Sequence, residues 1–416
     1  MLTELFGQVH RRYSSLPALG PILDGFAEWL LRQGYGPALV RRHLRSARRA
    51  DVALRRRGCG SSRDITREAL SACLPKHAQD DPNLASALRL LERHLDAEKV
   101  LPVPRPNQKQ SLLTEYGRYL ETVRGLAPPT IAQHLRTSGQ MLDHLHYEMD
   151  PARLDKLARS DIETFVRVSG ERLSRKPLQN VAAQLRSFLR FLSGRAQVAP
   201  GLDGQIDTPR VYRGERLPRS LPWGTVQEFL RSIDRTKPLG LRDYAIFLLM
   251  ATYGLRASEV VTLKLDDIEW RAGRILVVQR KTAHRLVLPL TDAVGQALVD
   301  YLRRARPTLP YREVFLRRRA PAGLLRPTAV TEAFQAWARR SGLTIPFQGP
   351  HCLRHSYAVR LLRQGVPLKT IGDLLGHRSA ESTCVYIRLA VEDLRDVALC
   401  LPAETATAAG ARRVRS

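Results

Sequence analysis

The stretch His351-Cys352-Leu353-Arg354-His355-Ser356-Tyr357-Ala358-Val359-Arg360-Leu361-Leu362-Arg363 decides how this chain folds and what it can do. Its apolar residues recur at helical spacing, which predicts a helix over 352–364. On that helix His351 and Arg354, three residues apart, share a face. His355 pairs with Arg354 as a buried polar neighbour of structural character, and Tyr357 belongs to the core. Downstream, Leu374-Leu375-Gly376-His377 ends a helix over 368–375 at a glycine, with a histidine just outside it. Tyr386 follows inside a further helical stretch over 380–397.

Upstream, Tyr253-Gly254-Leu255-Arg256-Ala257-Ser258-Glu259 closes an apolar helix over 241–253 at Gly254 and places Arg256 in the turn to the next helix. Arg274–Val278 and Arg285–Leu290 have strand composition and flank a short turn at 280–284 that carries Lys281. Helices are expected over 292–306 and 328–341. The pattern predicts one small antiparallel sheet among many helices.

These separated residues can do one kind of chemistry together. A phosphodiester in flight spreads negative charge over its non-bridging oxygens, and two guanidiniums such as Arg256 and Arg354 can clamp them. A tyrosine phenol is a nucleophile once a base or a cation activates it. Histidine moves protons near neutral pH, and lysine can protonate a leaving oxygen. No glycine-rich nucleotide loop precedes Lys281-Thr282 or Lys369-Thr370, which disfavours an ATP-driven machine. No cluster of three acidic residues marks a two-metal nuclease.

The four boxes, in this order, resemble the catalytic domain of the tyrosine recombinase (phage integrase) family, and residues 107–199 resemble that family's SAM-like core-binding domain. The resemblance covers about residues 107–400. It implies a mainly α chain: a helical core-binding module, here duplicated, then a mixed α+β catalytic domain. By that resemblance Arg256, Lys281, His351, Arg354 and His377 are catalytic and Tyr386 is the nucleophile that forms a 3′-phosphotyrosine link. Arg256 and Arg354 would stabilise the transition state, Lys281 would be the general acid, and His351 would assist proton transfer at Tyr386. His377 would orient the phosphate. No cofactor, metal or ATP is expected. The implied partners are double-stranded DNA and further copies of the chain, as a homo-tetramer on two DNA sites, alone or with a sister recombinase. Integration, excision or transposition of a mobile element is the implied event. The alternative is a DNA-binding accessory or regulatory protein with an inactive site.

Proline and glycine clusters divide the chain into residues 1–100, 107–199, a basic linker at 200–221, 222–400 and a tail at 401–416. The first two blocks resemble each other. Gly34, Pro37, His43, Leu44 and Arg45 align with Gly125, Pro128, His134, Leu135 and Arg136, and Leu88, Arg89, Arg93 and Leu95 match Leu185, Arg186, Arg190 and Leu192. A duplicated DNA-gripping module is the expectation. Its contacts would come from Arg41, Arg45, Arg48 and Arg49 on one helical side, from Arg136, and from Arg210, Arg213 and Arg216 in the linker.

Composition agrees with a polyanionic partner. The chain of 416 residues holds 67 Lys and Arg against 40 Asp and Glu, a formal charge of +27. Self-repulsion on that scale needs counter-charge. Apolar residues at 44% supply real cores, so wholesale disorder is excluded. No apolar run reaches membrane-spanning length, and no secretory core follows the N-terminus. Five scattered cysteines offer neither a disulfide framework nor a zinc ribbon. A reduced, cytoplasmic location is expected.

Overall fold

A computed structural model describes residues 1–77, 79–101, 107–210, 218–279, 284–376, 379 and 381–387. The chain divides into two compact units. One is Lys99–Glu215; the other joins Met1–Glu98 with Arg216–Ser416.

The joined unit begins with two short helices, α1 (Leu2–Phe6) and α2 (Arg11–Ser14), followed by α3 (Gly20–Arg32), α4 (Pro37–Arg55), α5 (Arg67–Ala72) and α6 (Pro82–Ala97). Leu23, Phe26, Leu30, Val40, Leu44, Leu54, Leu91 and Leu95 are fully buried and form the seam between α3, α4 and α6. Asp51, buried on α4, accepts the backbone N–H groups of Ala18 and Leu19 at 3.0 and 2.8 Å, satisfying the donors that lead into α3. This stretch touches the later part of its own unit where the Ala322 N–H donates to the Gln33 carbonyl at 3.1 Å.

The Lys99–Glu215 unit contains α7 (Gln108–Thr122), α8 (Pro128–His144), α9 (Arg159–Arg172) and α10 (Arg175–Ser193). Tyr116, Leu120, Leu142, Leu185, Phe188 and Leu192 make its core. The Gly- and Pro-rich stretch that follows was expected to be linker throughout, yet its first residues belong to this core. Leu202 and Ile206 are buried, and the Arg186 guanidinium donates to the Ile206 carbonyl and the Thr208 hydroxyl, both at 2.5 Å. Two apolar side chains in an otherwise polar stretch are enough to fold it back.

The later part of the joined unit holds α11 (Trp223–Arg231), α12 (Pro238–Tyr253), α13 (Ala257–Val261), a sheet, α14 (Asp292–Arg304), α15 (Pro327–Arg340), α16 (His351–Arg363), α17 (Leu368–Leu375) and α18 (Glu381–Cys384). Strands β1 (Ile268–Glu269), β2 (Arg274–Gln279) and β3 (His284–Pro289) form an antiparallel meander, with Leu276 opposite Val287 and Gln279 opposite His284. A second sheet of two residues per strand, β4 (Leu316–Arg317) with β5 (Gly323–Leu324), adds to the single sheet expected. Helix α12 is the central element. Ala245, Ile246, Phe247, Leu249 and Met250 are all buried, and each fully buried large apolar side chain contributes about 1.5–3 kcal/mol. The charges that interrupt its apolar run are matched. Arg242 donates to Asp243 Oδ1 at 2.9 and 2.7 Å, and the Trp337 indole donates to Asp243 Oδ2 at 2.9 Å. No helix among the described residues is long and apolar enough to cross a membrane.

Candidate active site

The site grows from the two glycines that end α12 and α17. Gly254 sits in the left-handed region (φ 65, ψ 25), and a Cβ there would lie 2.6 Å from the Tyr357 ring and 2.8 Å from Leu375. The close fit aims the Gly254 carbonyl at Arg354, whose Nη1 donates to it at 2.6 Å. Arg354 Nη2 donates to the Leu375 carbonyl at the end of α17. One guanidinium therefore holds together the ends of α12 and α17 and its own helix α16. Gly376, also left-handed (φ 59, ψ 50), has the Gln279 side chain pressed against the place a Cβ would take. Gln279 is the last residue of β2 and is 2% exposed.

Arg256 begins α13. Glu259, three residues on and buried, accepts the Arg256 backbone N–H at 2.8 Å and its Nη1 at 2.7 Å. The carboxylate thus caps the helix and fixes the arginine side chain, the capping-box arrangement with an ion pair added. Glu259 was visible in the sequence as part of the Arg256 box but had no role there. Its N3 position was the available signal.

Tyr386 is 2% exposed and packs with Ala358, Val359, Ile371 and Leu375. His355 Nδ1 lies 3.0 Å from the Tyr386 hydroxyl. The His351 ring meets the His355 ring edge-on, with centroids 4.5 Å apart. His355 was expected to be structural and His351 to serve the tyrosine. The structure puts His355 in hydrogen-bond reach of the phenol, with His351 exposed one helical turn earlier. The sequence signal was the spacing of four residues, which stacks two histidines on one helix face. Tyr357 has the core role expected of it, lying under Gly254.

The electrostatics fit this geometry. Burial pushes the Arg354 guanidinium down to about 10, with the nearby charge of Arg256 acting in the same direction and Glu259 and Tyr386 opposing; it stays cationic at neutral pH. Burial raises the Tyr386 phenol, while the guanidiniums of Arg354 and then Arg256 pull it back. Burial outweighs the two arginines, so the phenol stays above its ordinary value, and the guanidiniums reduce the cost of ionising it. Lys281 and His377 lie outside the described residues, as do Arg213 and Arg216. Among the described residues no group of three His, Cys, Asp or Glu side chains converges on a metal-sized site.

Of the expected DNA contacts, Arg45, Arg48, Arg136 and Arg210 are exposed, and Arg41 is half-buried. Arg49 is not the unneutralised charge its helix implied, because Asp81 at the start of α6 pairs with it at 2.5 Å. That partner comes from a residue 32 positions away, beyond the reach of a helix-face reading.

In sequence, a helical module is followed by an α-rich domain in which a tyrosine, two histidines and two arginines come together. The family comparisons match both parts. Residues 221–393 match the phage integrase family, and residues 113–195 match the phage integrase N-terminal SAM-like domain. The putative integrase/recombinase y4rA of Sinorhizobium fredii is 35% identical over 400 residues, covering 94% of this chain and 97% of that protein. The tyrosine recombinase XerD of Listeria monocytogenes is 32% identical over 292 residues, covering 69% of this chain and 96% of its own length. The chain belongs to the phage integrase family of tyrosine recombinases. Among solved structures, a lambda integrase dimer bound to a core site matches with a TM-score of 0.52 at 19% identity, covering 66% of this chain and 94% of that one. The XerH site-specific recombinase bound to its difH substrate has a TM-score of 0.52 at 17% identity, covering 71% and 98%. At these identities the two likenesses speak for the fold alone.

Proposed function

We propose that this chain cuts and rejoins duplex DNA through Tyr386. The Tyr386 oxygen attacks the scissile phosphorus, forming a tyrosyl–phosphate bond as the bond to the 5′ oxygen breaks. His355 Nδ1 is placed to take the phenolic proton, and Lys281 is the residue assigned to protonate the departing 5′ oxygen. Arg256 and Arg354 hold the non-bridging oxygens, His377 orients the phosphate, and His351 supports the His355 ring. A 5′ hydroxyl then attacks the tyrosyl–phosphate and regenerates the phenol. The bond energy is conserved in the covalent link, so neither ATP nor a divalent metal enters any step.

The observation that carries this reading is the 3.0 Å approach of His355 to the Tyr386 hydroxyl beside the Arg354 and Arg256 charges. A lambda integrase of the same fold was solved as a tetramer bound to a Holliday junction, and a tetramer is the assembly we assign to this chain; the integrase names of the relatives support a mobile-element role.

The test uses nicked duplexes randomised at the half-site, from which a cut strand escapes and traps the intermediate. A denaturant-resistant protein–DNA adduct that disappears in Tyr386→Phe is the expected outcome. Duplex binding without any adduct across the library would sink the enzymatic reading and favour a DNA-binding accessory role.

A further inference from the structure

The first 98 residues precede both stretches matched by the family models. Their helices nevertheless follow the order of the helices in Lys99–Glu215: α3, α4, α5 and α6 correspond to α7, α8, α9 and α10, with a short 3-10 turn before α5 and before α9. The turn glycines Gly34 and Gly125 both have positive φ, at 84 and 59. Pro37 and Pro128 both start the second helix. At the same offset of position, Ser46, Ala47, Ala50, Asp51 and Leu54 are buried on α4, and Thr137, Ser138, Met141 and Leu142 are buried on α8 with Leu145 just after it. Five matched burials within nine residues fix one helical phase and one packing seam, which shared richness in Leu and Arg does not produce by itself.

The two copies differ in charge. Between residues 37 and 57 there are eight arginines and one aspartate, whereas the remainder of the first 98 residues has eight basic and ten acidic residues. The module's excess positive charge therefore sits on α4 and its end. Arg41, Arg45 and Arg48, spaced by four and three, lie on one side of the helix away from the buried seam; Arg45 and Arg48 are exposed, while Arg41 is half-buried and donates to the Leu5 carbonyl at 3.5 Å. The carboxylates facing this region are Asp81, paired with Arg49, and Asp51, paired with Arg55 at 3.1 Å. Arg45 and Arg48 have no carboxylate partner among the described residues. At the equivalent places α8 has Ala132, Arg136 and Gly139.

We propose that residues 1–98 are a second copy of the helical module and that they grip duplex DNA through Arg45 and Arg48, with Arg41 and Arg56 beside them. The ligand is the phosphate backbone, since exposed guanidiniums on a convex helix give phosphate contact without a built pocket for one base. The site is independent of the chemistry at Tyr386.

The test measures full-length chain binding to a long random-sequence duplex by anisotropy across a salt series. Each phosphate contact contributes a slope of about 0.9 in log K against log salt. The double variant Arg45→Ala/Arg48→Ala is expected to lower the slope by about 2, while Arg45→Lys/Arg48→Lys keeps it, because charge and reach remain. Arg32→Ala, at an exposed arginine already paired with Glu28, is the control. A double-alanine slope equal to the control's would overturn the proposal. Adduct formation, read separately, keeps the two readings apart: an active enzyme with an unchanged slope refutes only the second grip, and a lowered slope without adducts refutes only the tyrosine chemistry.

Discussion

Gly254→Ala isolates the steric logic of the site. The residue sits at φ 65, where an added Cβ costs about 1–2 kcal/mol on backbone grounds alone. The same Cβ would stand 2.6 Å from Tyr357 Cδ1 and 2.8 Å from Leu375 Cδ2. Overpacking of this kind costs about 1–3 kcal/mol more, because both neighbours are held in place. The expected loss is about 2–5 kcal/mol, or a drop in Tm of roughly 4–20 °C for a domain of this size. Gly273→Ala is the matched control: its φ is 62, and nothing lies within 4 Å of its Cβ position. It should lose only the backbone part. The clash also pushes the Gly254 carbonyl away from Arg354, and a displacement of about 1 Å can cost about 100-fold in rate. Urea melts and adduct formation on a nicked substrate, run on both variants, check the reasoning. If Gly254→Ala is no less stable than Gly273→Ala and cleaves as fast, the close packing described for the end of α12 is wrong.

Three further outcomes follow from the same geometry. His355→Gln should slow adduct formation by about 100- to 10,000-fold, the usual worth of a positioned proton acceptor, with duplex affinity unchanged; cleavage at the wild-type rate would return His355 to a structural role. Glu259→Gln keeps shape but removes the charge facing Arg256, weakening two charge-assisted bonds by about 1–3 kcal/mol in all, so adduct formation should fall roughly 5- to 150-fold, and an unchanged rate would show that Arg256 needs no anchor. Burial holds His43 and His94 below the ordinary value of 6.5, with Arg42 also lowering His43 and Glu98 opposing for His94. The unfolded chain then binds more protons as pH falls through 6.5, so folded stability present above that pH is lost below it; urea midpoints should drop with acidification in the wild type and much less in His43→Gln/His94→Gln, and equal slopes would contradict the burial.

Helices were legible wherever one chain segment carried its own periodicity and stop signal. The helix over 368–375 ends at Gly376 as expected, and α12, α14, α15 and α16 start or stop within a few residues of their expected bounds, because Pro and Gly punctuate them locally. The second sheet was not legible, since two-residue strands such as Leu316–Arg317 leave no alternation to detect. The Arg256 and Arg354 boxes were visible as motifs. What each arginine touches was not, because Gly254 is 100 residues from Arg354 and Leu375 is 21 away. The His355 contact was hidden for a related reason: the spacing of four from His351 gives the shared helix face, but the partner Tyr386 lies 31 residues on.

Arg354 shows why substituting a motif residue does not by itself assign chemistry. A guanidinium has five N–H donors in a fixed fork, and here one is given to Gly254 and another to Leu375. A phosphate held as proposed would have to use the donors that remain. Arg354→Ala would leave both carbonyls without their partner in a site where the side chain is 2% exposed, at a cost of about 1–3 kcal/mol for each buried group. Arg354→Lys keeps a charge but cannot fork to two carbonyls and still hold a phosphate. Either variant should lose adduct formation and stability together, and a urea melt at the wild-type midpoint for Arg354→Ala would contradict the two backbone bonds. Tyr386→Phe removes only the hydroxyl and with it the contact to His355, worth about 1 kcal/mol, so the melt should shift far less than in Arg354→Ala while the adduct vanishes. The separation of those two readouts, between Arg354 and Tyr386, divides what holds the site from what reacts in it.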